Sequence, residues 1–126
     1  MTARGRVKVE SSNKRVRVLF GGEVVADTTA PLLVWEKPYY PTYYFPASDV
    51  RHDLLSESGE SRSPSRGTAK RFTVSAGGAT APDSAYRHTG SPIEEIRDHI
   101  AFDWAAMDHW LEEDEEVYVH ARDPYT

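Results

Sequence analysis

LLVWEKPYYPTYYFPASDV, Leu32 to Val50, is the stretch on which the fold turns. It sets one Trp, four Tyr and one Phe among three Pro, with Glu36 directly after the Trp. Aromatic rings bury the most area per residue and proline fixes the backbone that presents them, so the stretch can build both a core and a rigid wall for a flat ligand. Leu32 to Glu36 reads as a strand with Leu32, Val34 and Glu36 on one face and Leu33 and Trp35 on the other. Glu36 either continues an apolar face, where burial would raise its pKa, or closes the strand and points to water. Lys37 to Pro41 reads as a turn. Thr42 to Phe45 is then a second strand that sends Tyr43 and Phe45 one way and Tyr44 the other.

Upstream, Val7 and Val9 alternate with polar residues, as do Val16, Val18 and Phe20, which predicts two strands. Gly21-Gly22 followed by Glu23-Val24-Val25-Ala26 predicts a tight hairpin whose turn needs positive φ. Downstream, Ser48 is placed to cap a short helix from Asp49 to Leu55. Asp49, His52 and Asp53 share metal-site spacing, but a lone turn is a poor metal holder and an exposed helix face accounts for them. Ser56 to Thr68 has no apolar residue and predicts a mobile surface loop of Ser, Arg and Gly. Arg71 to Ser75 reads as a strand with Phe72 and Val74 inward, Gly77 to Asp83 as a turn, and Ala85 to Arg87 as a strand. Ile93 to Ile96 reads as one helical turn and Ile100 to Phe102 as a strand. Asp103 to Leu111 spaces Trp104, Met107 and Trp110 for a short amphipathic helix or a tight loop. The acidic run Glu112 to Glu116 is too repulsive for a strand interior, and Val117 to His120 reads as the closing strand.

A chain of 126 residues is expected to form a single domain, residues 1–126, that buries roughly 68% of its unfolded surface. Its formal charge of −5 works against a phosphate-backbone surface, so no nucleic acid partner is expected. The absence of cysteine removes disulfides, thiol nucleophiles and cysteine-held zinc. The stretch MTARGRVKVESSNKRVRV, Met1 to Val18, lacks an apolar run, so neither a signal peptide nor a membrane span is expected and the cytoplasm is the expected location.

Four stretches carry a resemblance: GGEVVADT (Gly21 to Thr28), YYFPASDV (Tyr43 to Val50), IAFDW (Ile100 to Trp104) and WLEEDEEVYVHARDPY (Trp110 to Tyr125). In this order they resemble the domain-of-unknown-function 427 family, which is also catalogued under a nucleotidyltransferase-type label. That resemblance implies a mainly-β, β-tent or Mss4-like fold of coiled antiparallel sheets with one or two short helices. Relatives of that fold hold zinc with paired cysteines, so a version without a zinc site is implied here. Where the family commonly has Cys-Pro-Tyr-Lys-Gly-x-Ala, this chain has Ser63-Pro64-Ser65-Arg66-Gly67-Thr68-Ala69. The thiol is lost, and sulfoxide-reductase chemistry with it.

Three function classes follow. The first is binding of a small organic ligand, without cofactor or metal, in a pocket walled by Trp35, Tyr44 and Trp104 with Tyr43 and Trp110 as further rings and Glu36, His120 and Arg122 as polar ends. The second is an enzyme using Glu36, Asp49 and His120 as acid and base, or nucleotidyl transfer. For the latter Gly90-Ser91 could cradle phosphate, but no acid-x-acid pair follows it until the Glu112 run. The third is an interaction protein; the chain is expected as a monomer or a homodimer through a sheet edge or aromatic patch.

Overall fold

A computed structural model describes residues 8–37, 40–63, 67–89, 91 and 93–117. In chain order the strands are β1 (Lys8–Ser11), β2 (Val16–Phe20), β3 (Glu23–Thr28), β4 (Leu32–Lys37), β5 (Tyr40–Pro46), β6 (Leu55–Ser63), β7 (Gly67–Ala76), β8 (Ala79–His88), β9 (His99–Phe102), β10 (His109–Glu112) and β11 (Glu115–Glu116). They make a seven-stranded sheet, β1-β4-β5-β9-β8-β7-β6, and a four-stranded sheet, β11-β10-β2-β3. Every pairing is antiparallel, and the helical content of the described residues is four three-residue 3-10 turns. The chain is mainly β with antiparallel sheets and short helical turns, as expected. Among the described residues no helix is long and apolar enough to cross a membrane.

The diglycine hairpin forms where the sequence places it. Phe20 pairs with Glu23, and Gly21 and Gly22 between them stand at φ +61° and +82°. Two central residues in left-handed backbone give the turn whose twist matches the strands it joins. Gly21 is also needed for space, because a Cβ there would lie 2.1 Å from the Ala76 carbonyl oxygen at the end of β7. The hairpin of one sheet is thus seated on the β7–β8 turn of the other.

Alternation decides which side of the large sheet each residue takes. Tyr43, Phe45, Val74, Ile100 and Phe102 face the small sheet and meet Val16, Val18, Val25 and Trp110 in the main core. Tyr44, Val34 and Ala101 face the opposite way and pack under Ile96 in a second, smaller cluster. Val18, Val25 and Val74 are fully buried, each contributing on the order of 1.5–3 kcal/mol over the exposed state.

Several expectations are corrected. The helix expected from Asp49 to Leu55 is two 3-10 turns, Ala47–Asp49 and His52–Leu54, with Arg51 extended between them and no side-chain cap from Ser48. The Val50 bridge to Ala26 and the Arg51 N–H donated to the Val25 carbonyl at 2.8 Å hold this segment to β3, which outweighs helix propensity. The segment expected as a mobile loop, Ser56 to Thr68, is mostly strand: β6 runs to Ser63 and pairs with β7 from Leu55–Val74 to Ser63–Gly67, residues 64–66 lying outside the described part. A ladder needs only backbone groups, so a strand exposed on both faces carries no apolar signature. The turn expected over Gly77 to Asp83 is confined to Gly77-Gly78. Pro82 and Asp83 instead sit in a bulge of β8, which admits a residue without an N–H and one at φ +56°. The acidic run, expected to stay out of strands, does so only at Glu113 and Asp114, which make the β10–β11 turn with Glu113 at φ +57°; Glu112 ends β10 and Glu115–Glu116 form β11. The charge of the run is met by Lys14, 3.3 Å from Glu112, and by Arg17, 3.6 Å from Asp114. Of the closing strand expected from Val117 to His120, residues 118–120 lie outside the described residues.

Candidate functional site

The expected site residues divide among separate places. Trp35 is half-buried on β4 at the β1 edge, where its indole N–H donates to Glu10 Oε1 at 2.8 Å. Glu36 lies on β4, its side chain outside the described part, and His120 and Arg122 lie outside the described residues. Asp49 is exposed in its 3-10 turn and lines a shallow recess with Val24, Ala26 and Arg51. The Asp49, His52 and Asp53 spacing makes no metal site. Asp53 is held by the Arg51 guanidinium at 2.7 and 2.9 Å, His52 Nε2 meets the Ala47 carbonyl at 2.7 Å, and no three acidic or histidine groups converge among the described residues.

Tyr44 does not share a wall with Trp104. It is fully buried on the far side of the large sheet, where its hydroxyl meets His88 Nε2 at 2.9 Å and its ring stacks on the imidazole at 5.7 Å. Tyr86 meets both rings edge-on. Register explains the grouping: Tyr44 pairs with Ala101 and Ala101 with Tyr86, so the three side chains form one row across β5, β9 and β8. Nothing in their own stretch of sequence marks Tyr86 and His88 as site residues beyond the period-2 spacing opposite Ala85.

Tyr43, Trp104 and Trp110 do come together. The 3-10 turn Trp104–Ala106 follows Asp103, whose N–H donates to the Ser84 carbonyl at 2.7 Å, and the chain then becomes extended at Met107. The Asp108 N–H donates to the Leu19 carbonyl at 2.9 Å, which draws the chain onto β2 as β10. This short excursion folds Trp104 back over Trp110. The two indoles stack with centroids 4.4 Å apart and planes 9° from parallel, and the Trp110 N–H donates to the Trp104 carbonyl at 3.2 Å. The Tyr43 ring lies 5.9 Å from Trp110 and 6.4 Å from Trp104, supporting the stack from the large sheet.

Trp110 is buried and Trp104 only half so. Together with Met107 and Val117 they line a hollow of about 310 Å3, at the small end of the range for ligand sites. Its charged lining residues are Asp108 and Glu116, both acids. Asp108 is fixed by accepting the Gly21 N–H at 2.9 Å, and Glu116 by His109 Nδ1 at 2.5 Å. That carboxylate raises the His109 pKa above its ordinary value by hydrogen bonding and then by charge. The Tyr43 hydroxyl donates to Glu112 Oε2 at 2.8 Å. Burial first, and the adjacent carboxylate second, push the phenol far up, so it stays protonated at any ordinary pH.

The candidate phosphate cradle has no such geometry. Gly90 is outside the described residues, and the buried Ser91 uses its hydroxyl to accept the Ile93 N–H at 3.0 Å, while Glu94 and Glu95 are exposed in the 3-10 turn Glu94–Ile96.

The model of one protein family, described as Domain of unknown function (DUF427) and bearing a nucleotidyltransferase-type short name, matches residues 8–113. The chain belongs to that family. No curated protein matches it.

Proposed function

We propose that this DUF427 member is a small-ligand-binding domain whose site is the indole-lined hollow beside Trp104, and that its ligand is a flat heteroaromatic molecule, neutral or cationic. The observation that supports this is the half-exposed Trp104 ring, held rigid against Trp110 at 4.4 Å in the wall of a hollow edged by two carboxylates. An indole face attracts flat rings and cations, by about 0.5–1.5 kcal/mol for a ring pair and about 0.5–2 for a cation. Asp108, whose partner is the uncharged Gly21 N–H, adds a field that favours positive charge and disfavours anions, joined by Glu116 where His109 is neutral. A ligand of roughly ten heavy atoms with one stacked face should bind in the sub-millimolar range. Binding is favoured over catalysis because both acids of the hollow are already engaged, Asp108 by the Gly21 N–H and Glu116 by His109.

The test is a tryptophan-fluorescence titration against neutral nucleobases, N-methylpyridinium compounds and aromatic carboxylates. Saturable quenching by the first two, lost in Trp104→Ala, supports the reading. Equal response to the carboxylates, or saturation that survives Trp104→Ala, rejects it.

A further inference from the structure

A second hollow, of about 440 Å3, opens beside β7 and β8, and its chemistry is opposite to that of the first. His52, Lys70, Arg87 and Arg97 bring four basic side chains to it against two carboxylates, Glu57 and Asp98. Each carboxylate is already matched: Lys70 Nζ lies 2.9 Å from Glu57 and an Arg87 terminal nitrogen 2.7 Å from Asp98. Arg97 has no carboxylate partner among the described residues. Its Nε–H donates to the Ser91 carbonyl at 2.9 Å, and Ser91 is itself buried, so the guanidinium plane is oriented while its terminal nitrogens remain for another acceptor. The hollow therefore carries surplus positive charge on a protein whose formal net charge is −5.

We infer that this hollow binds the phosphate group of a small phosphate monoester. A planar carboxylate satisfies one fork of donors from one direction. A phosphate has three terminal oxygens and up to two charges, which suits basic groups arriving from β7, β8 and the segment after the Glu94–Ile96 turn. The volume exceeds what a phosphate alone fills, and Phe72 offers the organic part an apolar contact. His88, only 3% exposed, closes the lining with its ring fixed by Tyr44.

The experiment is calorimetry and amide NMR mapping of the full chain with phenyl phosphate and with inorganic phosphate, at constant ionic strength, benzoate serving as the carboxylate control. Phenyl phosphate should bind saturably and more tightly than benzoate, moving the Lys70, Arg87 and Thr89 amides. Arg97→Gln should weaken it about ten- to hundredfold, the weight of one charge-assisted fork, with Arg97→Lys in between. Trp104→Ala should leave it unchanged, which separates this site from the indole hollow. Binding unaffected by Arg97→Gln, shifts confined to other amides, or no saturation overturns the proposal. If Arg97→Gln does not fold, the wild-type shift map and the benzoate comparison decide.

Discussion

Replacing Trp104 by Ala removes the outer plate of the indole stack and separates what that ring does for the fold from what it does for a ligand. A fully buried Trp→Ala change costs about 3–5 kcal/mol. Trp104 is half-buried, so about half of that transfer is lost, together with about 0.5–1.5 kcal/mol for the parallel contact with Trp110. The expected destabilisation is roughly 2–4 kcal/mol, or about 8–15 °C in Tm for a domain of this size. It is affordable, because Tyr43, Phe45 and Met107 still cover Trp110 from the core. Ligand affinity should fall about two- to thirtyfold, since the lost indole face is worth about 0.5–1.5 kcal/mol to a flat ring and about 0.5–2 to a cation. Trp104→Phe keeps a ring on the same wall and should recover much of both. Urea denaturation followed by circular dichroism gives the first quantity and Trp110 fluorescence the second. A loss of stability above about 5 kcal/mol would mean that Trp104 is core, and unchanged affinity in a folded Trp104→Ala protein would mean that the hollow is not the site.

Other consequences follow from single contacts. Gly21→Ala puts a Cβ 2.1 Å from the Ala76 carbonyl at positive φ, so it should cost more than about 2 kcal/mol in chemical denaturation, whereas Gly22→Ala, which meets nothing within 4 Å, should cost only the backbone strain of about 1 kcal/mol. Tyr43→Phe leaves Glu112 without its buried donor and should cost about 1–2 kcal/mol; an effect within about 0.5 kcal/mol would show that the bond contributes little. Because the Tyr43 pKa is raised in the folded state, its contribution is present below about pH 10 and disappears as pH rises through the folded value, so ultraviolet titration should show one tyrosine ionising only with alkaline unfolding. His109 is likewise raised, by Glu116. Its pairing stabilises fully below the unfolded value near 6.5 and is lost as pH rises through the folded one, and its NMR titration midpoint should drop back toward 6.5 in Glu116→Gln.

What the sequence disclosed was local. Gly21-Gly22 announces its hairpin through a backbone geometry that few other residues accept, and Tyr43, Tyr44 and Phe45 take their sides by simple alternation. What it concealed depends on long-range pairing. β9 inserts between β5 and β8, and only that register puts Tyr86 and His88 beside Tyr44. The same alternation that sends Tyr43 to the indoles sends Tyr44 away from them, so a pocket shared by Tyr44 and Trp104 conflicts with the strand that carries Tyr44. β6 leaves no apolar signature because its side chains from Ser56 on are polar on both faces and its stabilising ladder is backbone. The basic hollow is hidden too, since His52, Lys70, Arg87 and Arg97 are ordinary basic residues until four segments bring them together.

Whether Trp104 is a wall or a filler is tested most directly by fluorescence titration of the wild-type protein with an N-methylpyridinium cation at constant ionic strength. A saturable, one-site quenching curve that disappears in Trp104→Ala is the expected result. A linear, collisional response with the same slope in both proteins would contradict it.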